Sequence, residues 1–258
     1  MSHEHLNPDP LADSAGVPWE GRSFEANQHA NDDGSADPAL IAAIAAFRTG
    51  TGEAEAVVEA LAAARLLIPL VASLGEAGEG AHGQKVDKSA DLAIVAVRTP
   101  DGEVGIPIFS SVSTMQNWNP KARPVPTEPI RIAAAAAQEG STRLILDPGS
   151  ESFFVFRRPA IWAIGRSELW QHPTKNLAVK AAIREGIDAD ARVLNWGLVN
   201  GDPNYDLSGA ELQVILKVAP ETTDAENQEI TQGIAERWSR HAIISDLVDS
   251  IGVTFTEQ

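Results

Sequence analysis

Residues 143–157 read Arg-Leu-Ile-Leu-Asp-Pro-Gly-Ser-Glu-Ser-Phe-Phe-Val-Phe-Arg. Arg143 to Leu146 and Phe153 to Arg157 are short apolar runs of strand-forming side chains, and Asp147-Pro148-Gly149-Ser150 between them is a tight turn. Pro148 at the second position and Gly149 at the third suit a type II turn, whose third residue needs positive φ. The same signature occurs upstream, where Leu92 to Arg98 and Val104 to Ser110 flank Pro100-Asp101-Gly102. Hairpins therefore supply the middle of the chain.

Helices surround these hairpins. Asp37-Pro38 places a cap before an N1 proline, and Ala39 to Phe47 follows at helical spacing up to Gly50. A second helix runs from Glu53 to Ala64. Arg65 to Val71 is apolar with Pro69 inside it, which suits a buried or edge strand. Leu74 to Ser89 reads as a mobile connection. Ser111 or Ser113 caps a short helix ending near Trp118, and Pro120, Pro124, Pro126 and Pro129 hold residues 119–129 extended. A helix from Ile130 to Glu139 stops at Gly140.

Beyond Pro159, Trp162 and Trp170 mark a junction. A helix capped by Thr174 runs to Glu185 with Gly186 behind it, followed by a strand from Arg192 to Val199 and a loop from Asn200 to Gly209. Glu211 to Val218 alternates as a half-buried strand, Asp224 to His241 is a long helix, and Gly252 to Thr256 is a last strand. Helices interleaved with hairpins predict an α+β fold, a mixed or antiparallel sheet with helices packed on it. The expected divisions are a disordered acidic tail (1–37), a first domain (38–158) and an α+β region (159–258). Trp162, Trp170 and Trp196 predict that the second region packs on the first, because large aromatics are buried where elements meet.

Composition narrows function. The 258 residues carry a net charge of −16 and no Cys, which excludes disulfides, a thiol nucleophile and Cys-ligated metal sites. Such acidity disfavours nucleic acid and anionic membranes as partners. No apolar run approaches the roughly 18 residues of a membrane span. The opening MSHEHLNPDP lacks the basic and apolar regions of a signal peptide, so a cytoplasmic location is expected.

Motifs that carry chemistry are weak. Gly78-x-Gly80-x-x-Gly83 fits a phosphate loop formally, but no helix follows it and Glu76 and Glu79 repel phosphate. Asp202-x-Asn204-x-Asp206 has calcium-loop spacing, yet Leu207 stands where Gly is needed and Gln213 where a bidentate Glu is needed. Ser110 or Ser111 needs a histidine base to act as a nucleophile, and His82, His172 and His241 are the candidates. Capping explains the serines better. His3-Glu4-His5 defines no metal site. No catalytic residue, cofactor or metal is expected.

The run Val104 to Pro126, a helix, and then Arg143 to Ser150 resembles the SseB N-terminal domain. Its pieces are Pro107-x-Phe109-Ser110-Ser111, Trp118, the proline loop Pro124 to Pro126, and Leu144 to Gly149. The resemblance spans about Ala39 to Arg158, and the part after Leu169 is similar to the weaker C-terminal region of that family. It implies two SseB-type subdomains in a bacterial, cytoplasmic α+β protein without an established catalytic activity.

Charge is uneven along the chain. Residues 121–184 hold ten Lys or Arg against five Asp or Glu. Trp118, Lys121, Arg123, Pro124, Pro126, Arg157 and Arg158 are the expected contact residues for an unidentified protein partner, since Trp and Arg dominate binding surfaces and prolines stiffen the loop. The expected role is non-catalytic protein binding. The alternatives are a hydrolase-like enzyme using Ser111 or a carboxylate pair, or a translation or nucleic-acid-associated factor using segment 121–184.

Overall fold

The computed structural model describes residues 32–72 and 92–256. The expected acidic tail (apart from its last few residues), the connection 74–89, the Gly78–Gly83 motif and His3, His5 and His82 fall outside the described residues. The element order is α1 (Pro38–Arg48), α2 (Ala54–Ala63), β1 (Leu66–Ala72), β2 (Leu92–Ile94), β3 (Val97–Arg98), β4 (Val104–Ile108), α3 (Val112–Trp118), β5 (Arg123–Thr127), α4 (Pro129–Gln138), β6 (Arg143–Leu146), β7 (Phe154–Arg157), α5 (Arg158–Arg166), α6 (Leu177–Asp188), β8 (Val193–Asn200), β9 (Leu212–Val218), α7 (Asp224–Ser239), α8 (Ala242–Leu247) and β10 (Ile251–Thr256). The fold is α+β with mixed and antiparallel sheets.

Local chemistry sets most boundaries. The Asp37 carboxylate accepts from the N–H groups of Ala39 and Leu40 and starts α1 at Pro38. Ser111 accepts from Thr114 N–H and caps α3. The turn after β6 has Gly149 at φ +82°, and Ser150 N–H donates to Asp147 C=O at 3.1 Å, as a type II turn requires.

Three corrections concern elements. Leu92 to Arg98 is two strands in two sheets: β2 pairs with β1, whereas β3 pairs with β4 across the Asp101-Gly102 turn. Asn176, rather than Thr174, caps α6, and that helix runs through Gly186 to Asp188. The long helix after Asp224 breaks at Arg240, and α8 follows as a separate piece.

The sheet orders are β2-β1-β5, β3-β4-β6-β7 and β10-β9-β8. In the first, Pro69 stands opposite Pro124 and Leu67 opposite Pro126. Leu67 exchanges both backbone hydrogen bonds with Phe109, so positions 67 and 69 turn away from β5. By the same parity residues 124 and 126 face outward, and no proline is asked to donate to the ladder. Helices α1, α2, α4 and α5 and strands β1, β4, β6 and β7 enclose one core around Leu61, Ile108, Ile132 and Phe154. A second core lies between α6, α7, α8 and one face of β10-β9-β8, with Leu212, Val214, Leu216 and Val218 on the buried side of β9.

The two regions do meet. Tyr205, from the loop between β8 and β9, enters the first core, where its ring stacks on Phe154 at 4.6 Å and its C=O accepts from Val155 N–H. Trp170 packs against that core as well, whereas Trp196 belongs to the second.

Candidate binding surfaces

The motif Asp147-Pro-Gly does more than turn the chain. Asp147 is fully buried at φ +45°, and its carboxylate accepts from Ser110 N–H (2.8 Å), Ser110 Oγ (2.6 Å), Thr114 Oγ1 (2.8 Å) and Ser152 Oγ (2.6 Å). A buried carboxylate needs such donors when no cation is bound to it. It fastens the end of β4 and the first turn of α3 to the β6–β7 turn. Ser110 thus spends its proton on Asp147, and Ser111 is a helix cap. Neither contacts a histidine among the described residues. His172 Nδ1 is bonded to Thr174, and His241 lies against Glu185.

The expected contact residues separate into two places. Trp118 is half-buried, with its ring 5.3 Å from Phe109. Lys121, Arg123, Pro124 and Pro126 are exposed along the β5 edge that follows. Asn119 shapes the entrance, its Oδ1 accepting from Lys121 N–H and its C=O from Ala122 N–H. Among the described residues, neither Lys121 nor Arg123 has a carboxylate partner.

Arg157 requires a correction. It is 4% exposed and faces the second region, because it stands opposite Arg143 in the β6–β7 register. Two like charges on neighbouring strands repel, and Asp249 lies between them. Arg143 holds Asp249 through two bonds of 2.7 and 2.8 Å, while Arg157 Nη1 reaches its Oδ2 at 3.2 Å. Arg143 also grips Asp101, and Arg157 donates to Asp202 at 2.7 Å and to Gly209 C=O. Burial opposes the Arg157 charge, yet Asp202 and Asp249 hold it more firmly protonated than usual.

Asp202 in turn accepts from Asp206 N–H, Leu207 N–H and Ser208 Oγ. The would-be calcium loop is therefore organised around an arginine. Behind it Glu211 accepts from Asp249 N–H at 2.6 Å. Burial pushes its carboxyl up to about 7, against the pull of that hydrogen bond. Arg158 is half-buried, stacked 4.5 Å from the Trp162 ring and bonded to Val248 C=O.

A cleft of about 510 Å³ opens over this network, bordered by Asp101, Thr142, Arg143, Arg157 and Asp249. Arg143 and Arg157 are already met by carboxylates there, whereas Arg158, which also borders the cleft, is held by Val248 C=O and the Trp162 ring. Sequence spacing offered no signal for this cleft, since Arg143 and Asp249 are 106 residues apart.

No helix of the described residues is long and apolar enough to cross a membrane. Searches of curated proteins and of solved structures gave no match. Residues 40–163 match the family model of the SseB protein N-terminal domain. That span contains the Pro107-x-Phe109-Ser110-Ser111 strand end, its Asp147 anchor and the whole α3–β5 face, and the chain carries an SseB protein N-terminal domain across it.

Proposed function

We propose that this is a bacterial cytoplasmic protein that binds another protein, without catalysing a reaction, through the α3–β5 face. One observation carries the reading. Lys121, just before a proline-bearing edge strand, and Arg123 at its start stand exposed and, among the described residues, without a carboxylate partner, in a chain of net charge −16. An unpaired cationic strip on an acidic protein fits an acidic protein surface, and the prolines limit the entropy lost on binding. The absence of a histidine beside Ser110 and Ser111 among the described residues speaks for binding over hydrolysis. Burial of Arg143 and Arg157 removes two cations from the segment that a nucleic acid would use.

The test is charge reversal, Lys121→Glu with Arg123→Glu. Stability is expected to change by no more than about 0.5 kcal/mol, as at exposed sites, while a partner captured by the wild type is lost. Retention of every specific partner at unchanged affinity would make this face scaffolding. A binding constant for nucleic acid that falls steeply with salt would favour the basic-segment alternative.

A further inference from the structure

Most edges of the described sheets carry a defence against pairing. β5 turns Pro124 and Pro126 outward, and β2 and β3 are only three and two residues long. β7 is covered where Val155 N–H donates to Tyr205 C=O. β8 is interrupted by a register shift between Val193 and Asn195. Such features are how proteins blunt a free backbone edge.

β10 has none of them. Its sequence, Ile251-Gly-Val-Thr-Phe-Thr256, contains no charge and no proline, and its parallel register with β9 is unbroken. Leu212 N–H donates to Ser250 C=O, which sets the parity of the ladder. Even-numbered residues face β9, and Ile251, Val253 and Phe255 turn their N–H and C=O outward. Among the described residues no backbone group pairs with these.

The same three residues line a groove against α7. Two contiguous hollows of about 520 and 630 Å³ share Thr231 and Ala235 of that helix. Ile251 and Val253 border the first and Phe255 the second. Gln228, Thr231, Ala235 and Ser239 form an uncharged stripe at helical spacing, on a helix that elsewhere carries Asp224, Glu226, Glu229, Glu236 and Arg237. The mouths differ in charge, with Arg158 at the Ile251 end, where Asp249 is already held by Arg143 and Arg157, and Asp224 at the Phe255 end.

We propose that this groove takes an extended segment of a partner protein, which adds to the sheet as a strand antiparallel to β10. The outward N–H and C=O groups supply main-chain hydrogen bonds, and the groove takes apolar side chains at alternate positions. The end charges set the polarity: an acidic residue or chain end lies toward Arg158 and a basic one toward Asp224. A second copy of this chain is the poorer occupant, because each copy carries −16 and β10 itself carries no cation to offset the repulsion. This surface is separate from the α3–β5 face and does not rest on that reading.

The test is selection of a random decapeptide display library on the full chain. Enriched sequences are expected to alternate apolar and polar residues. Their binding falls about tenfold or more in Val253→Pro, whose lost N–H points away from β9, and in Ala235→Trp, which fills the groove from an exposed helix position. In a synthetic enriched peptide, N-methylation of the alternate residues facing β10 has the same effect, and methylation of the others has little. Lack of enrichment, binding indifferent to both variants, or equal effects of the two methylation patterns overturns the proposal. So does a dimer in sedimentation that Val253→Pro dissolves and no peptide competes, which would assign the edge to a second copy.

Discussion

Arg143 and Asp249 form a two-pronged ion pair, 2.7 and 2.8 Å, that ties strand β6 of the first region to the start of β10 in the second. Both side chains are almost wholly buried, and Asp249 also answers Arg157. Removing Asp249 takes one carboxylate partner from two buried guanidinium groups at once, leaving Arg143 with Asp101 and Arg157 with Asp202. Asp249→Ala is expected to lose about 3–5 kcal/mol, the cost typical of breaking a buried pair from one side. Asp249→Asn, which keeps an acceptor, loses less. Urea unfolding measures both, and an Asp249→Ala midpoint equal to that of the wild type would mean that the halves are held by other contacts.

Glu211 makes a prediction about pH. Its carboxyl, raised to about 7 against an ordinary 4.5, stays protonated in the folded protein over a range where the unfolded chain has released its proton. The folded state then binds more protons than the unfolded one, so this contribution is complete below 4.5 and is lost as pH rises through 7. Relative to Glu211→Gln, the wild type is expected to lose about 3 kcal/mol across that window. His172, which burial holds below its usual range, works in the opposite direction. It is present in both proteins and cancels in the difference. Parallel stability curves for the two proteins would contradict the prediction.

The β6–β7 turn is tested at Gly149. An added Cβ meets nothing within 4 Å, so a substitution there feels only the backbone at φ +82°. Gly149→Val is expected to cost about 1–3 kcal/mol, and Gly149→Asn less, because Asn tolerates the left-handed region. A thermal melt unmoved by valine would exclude the positive φ.

Gly186 is expected to behave unlike an ordinary helical glycine. Elsewhere in a helix, alanine gains about 0.5–1 kcal/mol over glycine. Here a Cβ would overlap the indole of Trp238, which is buried and donates its Nε1–H to Ile183 C=O at 3.1 Å. Gly186→Ala should therefore lose about 1–3 kcal/mol by overpacking. A rise in melting temperature would show that the α6–α7 contact is looser than this.

Short-range chemistry was readable in the residues themselves. The Asp37-Pro38 start, the Ser111 cap, the Asp-Pro-Gly turn and the alternation of β9 each depend on groups within a few positions of one another. The α+β class follows from them. Of the expected contact residues, Lys121, Arg123, Pro124 and Pro126 are exposed, in keeping with a stretch whose two closely spaced prolines suit a sheet edge, and that spacing is visible in the sequence.

Other features were decided only when distant segments met. A glycine behind a helix reads as a stop, but Gly186 is interior because the Trp238 ring needs the space. An apolar run from Leu92 to Arg98 reads as one strand, but its halves find different partners in β1 and β4. Two arginines, Arg143 and Arg157, read as surface charge until Asp249 and Asp202 arrive from the far end of the chain. Local structure costs little chain entropy and is encoded by neighbours. Burial of a charge depends on a counter-charge whose place along the chain bears no relation to its place in space.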